Sequence, residues 1–178
     1  MEDVIIRQEK ETDYNEVFLL TESAFRSLEI SNHNEQFLVE RLRKTDTFIP
    51  ELSLVAIIND KIVGHILLTR LIIRTEKGEI PSLSLAPVSV HPDFQKKGIG
   101  GMLINKAHSI AKKLGFKSII LVGHPDYYPR FGYRKASEFG ISFPFDAPDN
   151  ACMVVELVKN SLKYANGVVE YPKEFFGP

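Results

Sequence analysis

The stretch VSVHPDFQKKGIGGML, residues Val88–Leu103, decides the fold. It begins as an apolar strand, passes through a polar turn and ends where a helix should begin, with glycines at positions 98, 100 and 101. Each glycine weakens a helix by roughly 0.5–1 kcal/mol relative to alanine. The glycines therefore indicate that a bare backbone at this helix start has a use that offsets its cost.

The composition is that of one ordinary globular domain. The chain has 178 residues, of which 44% are hydrophobic and 25% are charged, and its formal net charge is −1. This balance lacks the basic excess that binding to nucleic acid or to an anionic membrane requires, so we expect neither partner. The single cysteine, Cys152, excludes an internal disulfide and a Cys-rich metal site. The five histidines show no metal-ligand spacing, so we expect no metal.

The charges and apolar runs of the sequence also indicate the cellular compartment of the protein. No apolar run approaches the ~20 residues of a membrane-spanning helix. The opening MEDVIIRQEK carries acidic residues where a signal peptide would carry basic ones. We therefore expect a cytoplasmic protein, and the sequence leaves open whether it is a monomer or a homodimer.

Hydrophobic periodicity and turn residues predict an α+β order of elements. The expected elements are a strand at 4–7, a helix capped by Thr12 or Asp13, a helix near 34–44, strands near 52–58, 62–74 and 83–90, a helix at 99–114, and strands at 117–123 and 151–158. Because a helix separates the strands at 83–90 and 117–123, these two should be parallel. We expect a single domain over 3–158 with a mixed, mostly antiparallel sheet, and an irregular tail over 159–178 packed on or beside it.

The glycine-opened helix predicts an anion site. The first turn of a helix leaves N–H groups without intrahelical partners, and the helix dipole adds roughly half a positive charge there. Bare glycines allow a bulky anion to approach, and Lys96 and Lys97 add positive charge. Together these features are typical of a phosphate or pyrophosphate cradle. The alternative is that the glycines only permit a tight turn and close packing of the helix on the sheet.

Two common nucleotide motifs are absent. The string G-x-x-x-x-G-K-[S/T] does not occur, which excludes a Walker A loop. Leu103 stands where a dinucleotide fingerprint needs a third glycine, and no acidic residue follows a first βα unit at the right distance. A phosphate-binding domain for another nucleotide is left as a further interpretation.

The remaining pattern, Gln95-Lys96-Lys97-Gly98-Ile99-Gly100, resembles the signature of the GNAT-type N-acetyltransferase superfamily. In that family Gln/Arg-x-x-Gly-x-Gly/Ala follows the fourth strand and binds the pyrophosphate of acetyl-CoA. The order of elements over 3–158 is similar as well, and HPDYYPRFGY resembles a subgroup of small bacterial predicted acetyltransferases. The resemblance implies a GNAT-like fold with acetyl-CoA as co-substrate.

The resemblance also implies how the cofactor is held. A fourth strand that bulges and splays from the fifth would admit the pantetheine arm, with Val88 and Val90 as main-chain partners. Pro87 fits such a bulge, although a proline at a strand edge is the alternative. The implied cofactor-binding residues are Val88, Ser89, Val90, Gln95, Lys96, Lys97, Gly98, Ile99, Gly100 and Gly101.

The aromatic turn GHPDYYPRFGY supplies a candidate catalytic residue. GNAT-like enzymes commonly place a tyrosine four residues before a Gly-aromatic pair, and Tyr128 stands four residues before Gly132 and Tyr133. A tyrosine hydroxyl, with a pKa near 10, suits protonation of the departing thiolate. Tyr127 is the local alternative, and packing in an aromatic corner with Phe131 is the other interpretation of both tyrosines.

The general base is left open among His124, Glu79, Glu22 and a relayed water. His65 lies in a strand, which is typical of a buried, hydrogen-bonded histidine. The predicted function is transfer of an acetyl group from acetyl-CoA to an amine of a small molecule or peptide, by direct attack in a ternary complex. The alternative function is a non-catalytic acyl-CoA-binding sensor or interaction module.

Overall fold

The computed structural model describes residues 3–177, which form a mixed sheet with helices on both faces. The helices are α1 Tyr14–Phe25, α2 Glu35–Leu42 and α3 Ile99–Lys113. The strands are β1 Ile5–Gln8, β2 Phe48–Ile58, β3 Lys61–Thr75, β4 Gly78–Val90, β5 Ser118–Val122, β6 Arg134–Lys135, β7 Ile141–Ser142, β8 Cys152–Glu156 and β9 Gly167–Glu170. The predicted α+β class is confirmed.

The sheet is built on the predicted antiparallel meander. Strands β1 to β4 pair in sequence, β4 pairs in parallel with β5 across α3, and β8 and β6 continue the sheet. The turn between β2 and β3 holds Asn59 and Asp60 at φ 48° and 61°. Two such left-handed residues are what a two-residue type I′ hairpin needs. A second, short parallel pairing joins β7 to β9.

The strands of the meander alternate their side chains between two helical layers. On β2, Ala56 packs with Leu103 of α3, whereas Val55 packs with Val17 of α1. A Cβ at Gly64 of β3 would lie 3.0 Å from Leu103 Cδ1. The missing side chain at this position therefore lets α3 lie close to the sheet, and this close packing fixes where its N-terminus points.

The C-terminal segment is not the irregular tail expected over 159–178. Gly167–Glu170 form β9, which pairs antiparallel with β3 from Ile72 to Thr75. The register of β2 with β3 extends only to Phe48 and Thr69, so β2 leaves this part of the β3 edge unpaired. Unpaired edge N–H and C=O groups need partners, and the C-terminal segment supplies them.

Sequence patterns also missed the two shortest strands. Strands β6 and β7 have two residues each, too few for an alternating pattern to be recognised. The strand expected last, at 151–158, is β8 and is followed by β9. The domain limits 3–158 stay a prediction, and position 178 of the expected tail lies outside the described residues.

Two features are absent from residues 3–177. None of the helices in this range combines the length and the apolarity that a membrane crossing requires. In the same range, no three His, Cys, Asp or Glu side chains come close enough together to hold a metal ion.

Gly167 is the point at which β9 comes closest to β3. A Cβ there would lie 2.8 Å from the carbonyl carbon of Arg74, a main-chain atom held in the sheet. We therefore expect Gly167→Ala to lower the free energy of unfolding by about 2 kcal/mol or more, measured by urea unfolding. Val168→Ala is the control, because this side chain on the same strand is 45% exposed. It should cost less than about 1 kcal/mol, and equal losses would contradict the close pairing.

Candidate active site

β4 and β5 are paired over a short distance and then part. The parallel register joins two residue pairs, Leu83 with Ile119 and Ser84 with Ile120. Beyond them β4 runs on to Val90. Its register with β3 shifts between Ile66 and Leu68, opposite a segment that contains the cis peptide Ala86–Pro87. The bulge that Pro87 suggested is confirmed.

Beyond the bulge, the main chain of β4 directs polar groups into the gap. The N–H of His91 donates to the C=O of Val63 at 2.9 Å, so the N–H of His91 points towards β3. Peptide groups alternate in direction along an antiparallel ladder. The N–H and C=O of Val88 and Val90 therefore point away from β3, towards the parting. These are the residues from which the resemblance implies main-chain contacts.

The start of α3 has the unpaired amides expected of an anion site. The first intrahelical bond runs from the N–H of Met102 to the C=O of Gly98 at 3.0 Å, so the amides of 98–101 have no partner within the helix. Gly98 has φ 84°, and no described heavy atom lies within 4 Å of the position that its Cβ would take. The first turn carries no acidic residue. The residues present thus fit a bound diphosphate.

Three predicted segments meet at Gly100. A Cβ there would lie 2.8 Å from Tyr127 Oη and 3.7 Å from Val90 Cγ2. At Gly101 a Cβ would lie 3.3 Å from the ring of Phe131. These two glycines therefore make room for the aromatic turn, whereas the first glycine of the three faces open space. The geometry therefore supports the packing explanation at the second and third glycines and the anion explanation at the first.

Polar residues in the turn before α3 contact the end of β4 and a neighbouring aromatic ring. Gln95 Nε2 donates to the C=O of Val90 at 3.2 Å, which ties the turn to the end of β4. Lys97 Nζ lies 4.8 Å from the centre of the Phe94 ring. Both Lys97 and Lys96 are exposed. Their charges therefore flank the unpaired amides without an ion-pair partner among the described residues.

Two members of the implied cofactor set turn their side chains away from the parting. Ile99 packs into the core on the α3 side. Ser89 is buried, and its Oγ donates to Thr21 Oγ1 of α1 at 3.4 Å. By the alternation of the ladder, the backbone of Ser89 faces β3. Of the two, Ile99 offers a backbone N–H to a ligand, and the geometry directs no group of Ser89 at the parting.

Tyr127 and Tyr128 are neighbours with different surroundings. Tyr128 is 9% exposed, and its ring centre lies 5.7 Å from that of Tyr133. Burial raises the pKa of the Tyr128 hydroxyl, with a further contribution from Tyr127. Burial also raises the pKa of Tyr127, an effect that the Arg130 guanidinium opposes. Both hydroxyls therefore stay protonated at neutral pH, as a general acid requires, and the choice of Tyr128 stays a prediction.

The three candidate bases lie on different elements. His124 is exposed beyond the end of β5, and its Nδ1 accepts from the N–H of Asp126 at 3.2 Å. Glu79 lies at the hairpin end of β4, paired with Arg74 at 3.0 Å, and so at the opposite end of the strand from the bulge. Glu22 of α1 pairs at 3.5 Å with Arg26, the residue directly after this helix. His124 is thus the candidate just beyond the strand end at the parting, whereas Glu79 is on β4 but at its far end.

A buried charged cluster joins β2 and β3 to the end of α2. The Glu9 carboxylate pairs with the Arg43 guanidinium and accepts from Ser53 Oγ at 2.6 Å. His65 Nε2 lies 3.1 Å from the same Ser53 Oγ, so the predicted buried, hydrogen-bonded histidine is confirmed. Burial lowers the pKa of His65 to about 3, and Arg43 adds charge repulsion. Its ring is therefore neutral at physiological pH.

The glycine-opened helix beside a parted strand pair matches the arrangement that the resemblance to N-acetyltransferases implied. The sequence model of the GNAT acetyltransferase domain matches residues 5–136, which is more than half of the chain. The chain therefore belongs to the GNAT acetyltransferase family. The predicted membership of this family and the predicted enzyme class, an acyltransferase of the N-acetyltransferase type, are confirmed.

Individual relatives agree with this assignment. The uncharacterized N-acetyltransferase YjhQ of Escherichia coli K12 is 37% identical over 128 residues, which are 68% of this chain and 69% of that protein. A solved GNAT family acetyltransferase from Brucella melitensis in complex with acetyl-CoA has a TM-score of 0.81 at 29% identity, over 98% of this chain and 99% of that one. YhbS from Escherichia coli in complex with CoA has a TM-score of 0.85 at 22% identity, over 99% and 93%. At that identity YhbS shows the fold alone.

Gly100→Glu tests the start of α3 as the binding site of acetyl-CoA. A side chain there would collide with Tyr127 Oη and place a carboxylate beside the unpaired amides. We expect the Kd for acetyl-CoA, measured by isothermal titration, to rise by about tenfold or more. Asn105→Glu adds the same charge at an exposed position farther along α3 and should change the Kd less than about twofold. A variant at position 100 with unchanged Kd would contradict the anion site.

His65 should make the fold sensitive to acid. Its pKa of about 3 in the folded protein lies below the ordinary value of 6.5, so its stabilising contribution is complete above pH 6.5 and is lost as the pH falls towards 3. For this one proton the loss approaches roughly 1.4 kcal/mol per pH unit. We expect His65→Gln to flatten the pH dependence of urea unfolding in this window. Exposed His33→Gln is the control, and equal slopes in both variants would refute the prediction.

Proposed function

We propose that this protein transfers the acetyl group of acetyl-CoA to a primary amine, and that the amine attacks the thioester directly while both substrates are bound. The carrying observation is that the start of α3, the end of β4 beyond its bulge and the aromatic turn meet at Gly100. The N-acetyltransferase names of the relatives support the reaction, and the acetyl-CoA bound to the Brucella protein supports the donor. The acceptor is a small molecule or peptide, and the proposed compartment is the cytoplasm.

The donor is assigned to two parts of the backbone. The amides of Gly98–Gly101 and the flanking Lys96 and Lys97 would hold the diphosphate, because they combine unpaired N–H groups with positive charge. The pantetheine arm would pair with Val88 and Val90 as an added strand does at a sheet edge. The C=O of Val90 already accepts from Gln95, and a carbonyl oxygen can accept a second bond.

The reaction balances without a further reactant. The amine nitrogen bonds to the acetyl carbon, the C–S bond breaks, and net one proton passes from the nitrogen of the neutral amine to the sulfur. A fixed backbone donor to the carbonyl oxygen is worth about 3–4 kcal/mol in such steps. We assign this role to the N–H of Val88, which is directed into the parting beside the bulge.

An enzyme nucleophile is not part of the proposal. Cys152 is the chain's single cysteine, and it is buried with a pKa that burial raises. The thiol form, which is a poor nucleophile, is therefore the one favoured at neutral pH. This supports direct attack by the amine on the thioester.

Proton transfer is assigned to the aromatic turn and its neighbour. Tyr128 would donate its proton to the departing sulfur, since its hydroxyl is protonated at neutral pH. The amine would lose its proton to His124, or to a water between the amine and His124. This assignment follows from the position of His124 just beyond the end of β5. Tyr127 is the alternative acid, with its hydroxyl at the start of α3.

Release of free thiol from acetyl-CoA with a panel of amines tests the proposal. We expect Tyr128→Phe to lower kcat about 100-fold, because it removes the acid, while the Kd for acetyl-CoA changes less than about threefold. Tyr127→Phe removes one oxygen from the adjacent ring and is the matched control. It should change kcat less than about threefold.

Two outcomes would count against parts of the proposal. A larger loss in Tyr127→Phe than in Tyr128→Phe would move the acid to Tyr127. Binding of acetyl-CoA without thiol release for any amine would overturn the transferase reaction itself.

A further inference from the structure

A cavity of about 290 Å³ lies beside the parting of β4 and β5. Residues 84–86 of β4, Val122 of β5 and Leu38 of α2 line part of it. The remaining wall is aromatic and comes from the chain beyond β7: Phe145, Tyr171, Phe175 and Phe176. The cavity thus opens next to the bulge that the proposed reaction uses, and we call it the tail pocket.

The aromatic wall is a connected cluster. Its ring-centre distances from Tyr171 are 5.6 Å to Phe145, 4.8 Å to Phe175 and 6.2 Å to Phe176. Arg41 Nε of α2 donates to the C=O of Glu174 at 3.1 Å, which fixes the end of the segment to the helix. Strand β9, directly before Tyr171, fixes its beginning to β3. The two anchors therefore flank Tyr171, and the one at Glu174 lies directly before Phe175 and Phe176.

The lining of the tail pocket bears no charge. None of its residues is acidic or basic, and its polar side-chain groups are the hydroxyls of Ser84 and Tyr171. A carboxylate or a polyamine would lose hydration there without gaining an ionic partner, which is costly. The same surroundings favour the neutral form of an amine, which is the form that attacks a thioester. The pocket therefore selects against acceptors with additional charges.

Size and shape point to a small molecule. The volume of about 290 Å³ is at the lower end of the roughly 300–1,000 Å³ typical of small-molecule sites. Aromatic walls favour flat or branched apolar groups, which they contact by offset and edge-on packing. A single ring or a short branched chain suits this space.

We propose that the tail pocket binds the apolar part of the acceptor, and that the acceptor is a small primary amine on an aromatic or branched apolar group without a carboxylate. The inference rests on the proposed function, which places the thioester at the parting. The aromatic wall lies outside residues 5–136, the part matched by the family model. The match to the family model therefore does not include the aromatic part of this pocket.

Three amines and two truncations test the tail pocket. The amines are 2-phenylethylamine, phenylalanine, which adds a carboxylate, and spermidine, which adds further positive charges. Phe176→Ala removes a wall residue that is 61% exposed, and Phe37→Ala is the control because Phe37 is 44% exposed on α2 and does not line the cavity. We expect kcat/KM for 2-phenylethylamine to exceed the other two by about tenfold. Phe176→Ala should lower kcat/KM for 2-phenylethylamine about tenfold, and Phe37→Ala should lower it less than about twofold. Both variants should keep the Kd for acetyl-CoA unchanged.

A binding measurement separates this inference from the reaction. Saturation-transfer NMR of the CoA-bound protein should show contacts to the ring protons of 2-phenylethylamine that weaken in Phe176→Ala. A preference for phenylalanine or spermidine, or equal effects of the two truncations, would overturn the tail pocket and leave the transferase proposal standing. Retained NMR contacts without thiol release for any amine would support the pocket and overturn the transferase proposal. Absence of the contacts would overturn the pocket.

Discussion

The separation of β4 from β5 is the constraint on which the candidate site depends. The two strands share only the register at Leu83 and Ser84, and the bulge near Pro87 then turns β4 away. One result is a length of main chain in which the N–H and C=O groups of Val88 and Val90 are directed into a gap. The other is an apolar cavity beside the same gap, next to α2. A closed parallel pair would offer neither the backbone groups nor the space, so a single change of strand direction provides for both proposed substrates.

The start of α3 shows how one short motif meets two demands. Gly98 has a positive φ and open surroundings, which leave space for a ligand at the proposed diphosphate site. Gly100 and Gly101 have Tyr127 and Phe131 against them, so they serve the packing of the aromatic turn. This turn brings Tyr127 to the helix start, and the ring centre of Tyr128 lies 5.1 Å from that of Tyr127, so the proposed acid is one side chain away from the proposed diphosphate site. The costs that glycine imposes on the helix are offset by close packing of α3 on the sheet at Gly64.

Features with local causes were predictable from the sequence. The turn at Asn59 and Asp60 and the amphipathic α3 with its glycines depend on neighbouring residues, and the structure has them as expected. Features that depend on residues distant in the sequence were not predictable. Strand β9 exists because β3 is longer than β2, and no pattern within Gly167–Glu170 contains that information. The aromatic wall depends in turn on β9, which is why the tail pocket had no signal in the sequence beyond a cluster of aromatic residues near the C-terminus.

The order of synthesis gives the covered edge of β3 a further significance. Until Gly167–Glu170 leave the ribosome, the segment from Ile72 to Thr75 has exposed peptide groups along one side. Such a bare edge is a template on which a second chain can add a strand, and so a starting point for aggregation. Since the last part of the chain both covers this edge and completes the wall of the tail pocket, a prematurely terminated product would lose the proposed acceptor site and its colloidal stability together.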